Sequence, residues 1–332
     1  MRYASISVIV TCFLLSSCYT LKQGFTFLGY LRRAQPLEKL SSDAQNQQFV
    51  ERIADIRAFA VNELGLKNTK NYTRYVEIDR DYLALVVSAC AKDSFSPYTW
   101  RFPVVGAVPY KGFFEEKDAK TEVEKLKHKD LDVLVRRVDA FSTLGWFQDP
   151  LYSYMKNYPI YRLADLIIHE SLHTTIYLKG ESQFNEELAE FVGKKGSQLY
   201  IESRFGVNSS EYQEMMDDTA DNETFVDFVL ELVRELTAVY AMDTPLSEKL
   251  AQKENTINAA QNRFSKAYST LFKSEGYRFF ADLQVNNAYL GLFRLYYGKD
   301  SSMEDLFEQL GKDLPSFIAH IVRTQKRQGL GA

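Results

Sequence analysis

Leu163-Ala164-Asp165-Leu166-Ile167-Ile168-His169-Glu170-Ser171-Leu172-His173-Thr174-Thr175-Ile176-Tyr177 is the stretch on which the reading of this chain turns. Apolar residues at Leu163, Leu166, Ile167, Ile168, Leu172 and Ile176 recur at the three- and four-residue spacing of a largely buried helix, and neither Pro nor Gly interrupts it. At about 100° per residue, positions four apart point the same way. His169 and His173 can therefore offer two imidazole nitrogens to one Zn²⁺, while Glu170 leans over the metal's water. The chain has only 4 His, so two of them in an H-E-x-x-H frame on an apolar helix read as a metal site rather than as incidental surface residues. Asp165, one turn earlier, is a candidate partner for His169, although a solvated carboxylate is the commoner fate.

A catalytic zinc takes three protein ligands and keeps its fourth position for water, so one more ligand is expected nearby. Lys179-Gly180 ends the first helix, Gly being the usual residue past a helix C-terminus. Ser182 can then cap a second helix beginning Gln183-Phe184-Asn185-Glu186-Glu187-Leu188-Ala189-Glu190-Phe191-Val192. Two helices joined by so short a turn lie side by side or cross closely, and the first turn of the second can face the histidines. Glu186 and Glu187 both sit in that turn.

Asn185-Glu186-Glu187-Leu188-Ala189 has the Asn-Glu-x-x-Ala form in which zinc peptidases of the gluzincin kind supply their carboxylate ligand. That likeness selects Glu186, with Glu187 in reserve. The chain resembles the bacterial predicted aminopeptidase family of zinc peptidases, whose members read as H-E-x-x-H, twelve residues, then Glu within Phe-Asn-Glu. Here residues 174–185 separate His173 from Glu186, and Phe184-Asn185-Glu186 is intact. Further matches are Phe102-Pro103-Val104-Val105-Gly106, Tyr110-Lys111-Gly112-Phe113-Phe114, residues 140–150 and Asn286-Asn287-Ala288-Tyr289-Leu290. The resemblance implies a gluzincin-like zinc metallopeptidase acting on a peptide substrate, an aminopeptidase by the family's name. The Gly-x-Met-Glu-Asn signature with which better-known gluzincin aminopeptidases hold a free amino terminus does not precede the site.

Composition is that of a folded chain with ample core: 45% hydrophobic and 25% charged in 332 residues. A net charge of −4, without a basic cluster interleaved with aromatics, argues against a nucleic-acid partner. The N-terminus reads as a targeting segment. Arg2 precedes an apolar run over residues 6–15, too short to span a bilayer, and Leu15-Ser16-Ser17-Cys18 forms a lipobox. Residues 1–17 are thus expected to leave as a lipoprotein signal peptide and Cys18 to carry lipid. With Tyr19 in place of an Asp retention signal, the expected address is the bacterial cell envelope, on the periplasmic face of the outer membrane. Of 3 Cys, Cys12 leaves with the signal and Cys90 remains unpaired, so no disulfide supports the mature fold; Cys90 reads as a buried core residue.

Residues 18–40 form the anchored segment, part helix, and residues 41–332 a single metallopeptidase domain. A helix over residues 41–64, capped at Ser41 or Ser42, carries Phe49, Ile53, Ile56 and Phe59 or Ala60 on one face. Residues 75–78, 82–90, 98–102 and 131–139 read as strands, and 117–129 as a charged helix. Helices are expected over 222–242, 246–272, 281–297 and 303–322, the last interrupted at Gly311 and Pro315. The fold class is α+β, mostly helical, with a small mixed sheet in residues 41–160 packed beside the H-E-x-x-H helix and a helical part over 161–332. By position, residues 139–143 are the candidate for an edge strand that pairs with an extended peptide, with an interior strand equally open.

With zinc on His169, His173 and Glu186, Glu170 would serve as general base. An oxyanion needs a further donor, and Tyr289 is selected, with Tyr110 and Tyr154 as alternatives. Trp146, Phe147 and Tyr154 can wall the cleft, whereas His128 and His320 read as surface or helix-face residues. The competing reading is a non-catalytic envelope lipoprotein whose metal site is structural or vestigial and whose surface binds a partner. Oligomeric state is open.

Overall fold

The computed structural model describes residues 19, 23–40, 43–102, 106–139, 148–178, 181–296 and 302–328. In chain order the elements are α1 (residues 23–33), β1 (Gln35–Pro36), α2 (Ala44–Asn62), β2 (Arg74–Val76), β3 (Ala84–Cys90), β4 (Trp100–Phe102), β5 (Gly106–Val108) and β6 (Tyr110–Phe113). There follow α3 (Glu116–Lys127), β7 (Asp132–Val138), β8 (Leu151–Tyr152), α4 (Ile160–Thr175), α5 (Ser182–Arg204) and α6 (Ser210–Tyr240). The chain continues with α7 (Leu246–Leu271), α8 (Asn287–Tyr296), α9 (Ser302–Gln309) and α10 (Leu314–Gln328). The fold is α+β and mostly helical, as expected, and among the described residues its strands form three small sheets rather than one: β1-β2-β8, β6-β3-β7 and the β4-β5 pair.

The chain divides into two units, each assembled from three separated stretches. One contains the described parts of Met1–Gly29, Tyr82–Asp139 and Asp217–Gly298. Its β3 is antiparallel to both neighbours, Val87 facing Lys111 of β6 and Val135 of β7. All seven β3 residues are buried. Strand alternation puts Leu85, Val87 and Ala89 on one face, where they meet Ala119 and Leu126 of α3. The helices α6, α7 and α8 close over Phe225, Leu232, Phe264, Phe280 and Leu290.

The Asn286-Asn287 pair locks this unit. Asn287, wholly buried, donates through Nδ2 to the carbonyls of Ala91, Lys92 and Ser94 at 2.9, 3.1 and 3.1 Å, and its Oδ1 accepts from the Tyr240 hydroxyl at 2.7 Å. Its own N–H and the buried Lys253 ammonium both donate to Asp132 Oδ2. Asn286 Nδ2 donates to the Val133 carbonyl at 3.0 Å. Buried polar groups are this thoroughly paired when they fix a loop, and the motif is structural here.

The second unit contains the described parts of Tyr30–Asp81, Ala140–Met216 and Lys299–Ala332. Here β2 pairs antiparallel with β1 and parallel with β8. Phe49, Ile53, Ile56, Phe59 and Ala60 of α2 are all buried, as their spacing predicts. The cap is not Ser41 or Ser42, which lie outside the described residues. Asp43 takes that role, its side chain accepting from the Asn46 N–H at 2.9 Å.

The two helices that follow run antiparallel in a close seam. Gly196 of α5 makes this approach possible: a Cβ there would stand 3.0 Å from Ile168 of α4 and from Leu64. Ser197 Oγ donates across the seam to the buried Tyr161 carbonyl at 2.7 Å. The first helix ends at Thr175 and not at Lys179-Gly180, which lie outside the described residues. The Thr174 and Thr175 hydroxyls both turn back onto the Ser171 carbonyl at 2.8 Å, and Ile176 is already extended. Ser182 is the first residue of α5 and not its cap; Glu181 precedes the helix without a side-chain capping bond. Further on, α6 begins at Ser210, earlier than residue 222, and α8 at Asn287, later than residue 281. The break between α9 and α10 falls where expected, with Gly311 in the left-handed region at φ 79°.

Candidate metal centre

The seam between α4 and α5 brings together the residues expected to hold a metal. His169 and His173 stand one turn apart with Nε2 atoms 3.2 Å from each other, and Glu186 reaches over from the first turn of α5. Its Oε2 lies 3.7 Å from His169 Nε2 and its Oε1 3.5 Å from His173 Nε2. These spacings suit a single small cation. A tetrahedral ion with ligands at about 2.0–2.1 Å has edges of about 3.4 Å, and all three separations lie close to that. The group could therefore hold a metal ion. Glu187 is not part of it.

The centre is asymmetric in exposure. The His173 side chain is 2% exposed and forms its inner wall, His169 is 24% exposed, and Glu186 at 60% faces solvent. Hydrogen bonding to His169 and then to His173 holds the Glu186 carboxyl down at about 2. Burial opposes charging of His169, but Glu186, Glu170 and Asp165 outweigh it and raise its pKa. Glu170 is buried between the two ligands in sequence, and its Oε2 has no hydrogen-bond partner among the described residues. A carboxylate oxygen left unbonded in a protein interior costs stability, so an unbonded one beside two imidazoles marks a group kept for something other than packing.

Asn185 fixes the ligand next to it. Its side chain, 2% exposed as a residue, accepts from the Leu178 N–H at 2.9 Å and donates to the Leu178 carbonyl at 2.8 Å. This pair of hydrogen bonds ties the first turn of α5, and with it Glu186, to Leu178. Asn185→Ala is expected to cost about 2 kcal/mol of stability and to weaken metal binding as well. Denaturant unfolding and metal titration of the purified variant check both, and unchanged metal affinity would show that Glu186 needs no such clamp.

A family model described as "Putative aminopeptidase" matches residues 18–329. The chain belongs to that family. Membership suggests a peptidase, and the His169, His173 and Glu186 group lies inside the matched region. Comparison with curated proteins and comparison with solved structures each give no match.

Other residues of this aminopeptidase-family chain fall as follows. Tyr289 belongs to the other unit, half-buried with its ring 5.3 Å from Phe293 and 6.3 Å from Phe280, and burial raises its phenol pKa. Tyr110 is exposed in that same unit, whereas Tyr154 lies in the metal-centre unit, buried against Tyr152 at 5.9 Å. Trp146, Phe147 and residues 140–143 lie outside the described residues, and so does Cys18. Cys90 is buried, and burial pushes its thiol up to about 11. His128 is exposed.

Sequence reasoning passed over Tyr72. This residue is 2% exposed and adopts φ 58°, a left-handed backbone rarely seen for an aromatic residue. The conformation is pinned by Asp149: the Tyr72 N–H donates to the Asp149 carbonyl at 2.8 Å, and the Asp149 N–H donates to Asn71 Oδ1 at 3.2 Å. Burial and then the charge of Glu170 push the phenol pKa well up, so Tyr72 stays protonated beside the carboxylate. Only Asn71, a residue type that turns favour, hinted at this loop in the sequence.

Proposed function

We propose that the chain is a zinc-dependent, gluzincin-like aminopeptidase, held in the bacterial envelope by lipid on Cys18. The observation that carries the reading is the pairing of three donors, spaced 3.2, 3.5 and 3.7 Å apart, with the unbonded, buried Oε2 of Glu170 on the same helix. A structural metal site is closed by a fourth protein ligand and has no use for a free carboxylate there.

Zinc on His169, His173 and Glu186 would supply a Lewis acid that polarises a scissile carbonyl and acidifies water. Glu170 accepts the proton from the attacking water and returns it to the leaving amine. The family match begins at Cys18, the residue that lipoprotein processing would make the first of the mature chain, which supports the anchor. No described helix is long and apolar enough to cross a membrane.

Metal content and a peptide library, presented with free and with blocked amino termini, test the proposal. The expected result is one zinc per chain and cleavage confined to peptides with a free amino terminus. Cleavage of blocked peptides would make the protein an endopeptidase. Stoichiometric zinc with no cleavage at all would leave a scaffold lipoprotein.

A further inference from the structure

Tyr19, the residue after the proposed lipid-bearing Cys18, is already packed into the fold. Its hydroxyl donates to the Gly112 carbonyl, its ring stands 5.6 Å from that of Phe113 and 6.1 Å from that of Phe102, and the Lys111 ammonium lies 4.6 Å from the ring centre. Four residues on, Gln23 Oε1 accepts from the Phe114 N–H at 2.9 Å, and four further on Phe27 stacks on Phe114 at 6.2 Å. Tyr19, Gln23 and Phe27 thus hold one helical side against the end of β6 and its flanking residues. At about 100° per residue, Phe25 stands on the opposite side of α1 from Gln23. It is 69% exposed, more than any other large apolar side chain among the described residues. Arg32, seven residues after Phe25 and also exposed, shares its side of the helix. Cys18, seven residues before Phe25, falls on the same repeat in the sequence.

We propose that the outer side of α1 lies flat on the phospholipid bilayer, with Phe25 seated between headgroups and acyl chains and Arg32 against lipid phosphate. The inference rests on the lipid at Cys18 and is independent of the metal reading. One peptide unit, about 3.8 Å between Cα atoms, separates the lipid-bearing residue from Tyr19. Because Tyr19 is fixed in the fold, the tether has no slack, and the surface beside it is held at the headgroups. Of the side chains on α1, Phe25 has the chemistry for that boundary: a ring that water solvates poorly and that the interface takes up. A guanidinium on the same side of the helix pairs with phosphate there, as in other helices that lie in the plane of a membrane. Lipid, ring and cation spaced by seven residues form one line of attachment, opposite the line formed by Tyr19, Gln23 and Phe27.

The test uses the full lipidated chain in vesicles of phosphatidylethanolamine and phosphatidylglycerol. Phe25→Cys, at an exposed position that tolerates exchange, receives a polarity-sensitive fluorophore, while Cys90 is buried and closed to the reagent. On reconstitution the label is expected to shift to the blue, to lose most of its emission to a quencher carried on the acyl chains, and to become shielded from aqueous iodide. Adding Arg32→Glu, which sets a like charge against the phosphates, should lessen the acyl-chain quenching. A label that stays open to iodide and unquenched by lipid in the vesicle-bound chain overturns the inference alone. So does a blue shift without acyl-chain quenching, since protein, such as a second copy of the chain, would then cover the helix. A mature chain whose mass shows no lipid on Cys18 overturns the anchor with it.

Discussion

Glu170→Gln is expected to abolish measurable peptide hydrolysis and leave the metal in place. The two side chains have the same shape, so the difference is the loss of a basic oxygen. Glu170 Oε2 makes no hydrogen bond among the described residues, so no bond of that atom is broken by the exchange. General acid and base catalysis is worth roughly 10²–10⁴-fold, and a base that also returns the proton to the leaving amine should cost the upper end of that range. Turnover of a free-amino-terminus peptide, measured alongside zinc content, checks this. A variant retaining more than a tenth of wild-type turnover would remove Glu170 from the mechanism.

The second large effect concerns the ligand from α5. Glu186→Gln should weaken Zn²⁺ binding on the order of a hundredfold to a thousandfold, whereas Glu187→Gln should change it little. Both residues occupy the same turn, but only Glu186 directs its oxygens at the two imidazoles. The pH dependence follows from the same geometry. Glu186, held down at about 2, stays ionised far into acid, so protons do not compete with metal there. His169 is raised above the ordinary imidazole value and must be neutral to bind, so metal affinity falls as pH drops through that raised pKa. Metal titrations of the two variants at neutral pH, and of wild type across mildly acidic pH, check these expectations. Equal losses in the two Glu variants would dissolve the assignment.

Much of this centre was legible because metal chemistry leaves a mark in spacing. His169 and His173 share a helix face by periodicity alone, and the choice of Glu186 over Glu187 came from the residues flanking it. The buried stripe of α2 and the largely apolar, wholly buried β3 were equally readable. Helix ends were harder. Thr174 and Thr175 close the first helix early through their hydroxyls, where the eye goes to Gly180. The partition into two units was not readable, because it depends on which distant stretches meet. Nor was the role of Gly193: a glycine in α5, where a Cβ would crowd Asp165 and His169, acquires meaning only when the helices are laid together. The hydrogen bonds of Asn286 and Asn287 were likewise beyond the sequence, since they run to carbonyls more than 150 residues away.

The order in which the chain is made bears on the ligand-bearing helix. Phe191 of α5 packs against Phe307 of α9 at 5.5 Å and Phe317 of α10 at 5.3 Å, and Lys195 pairs with Glu304 at 3.0 Å. These braces are translated last, long after both histidines and Glu186 have left the ribosome. A nascent chain therefore carries every chelating group early but lacks the struts that hold α5 until synthesis is nearly finished. A product cut short of Leu314 would be left without the Phe317 part of that bracing.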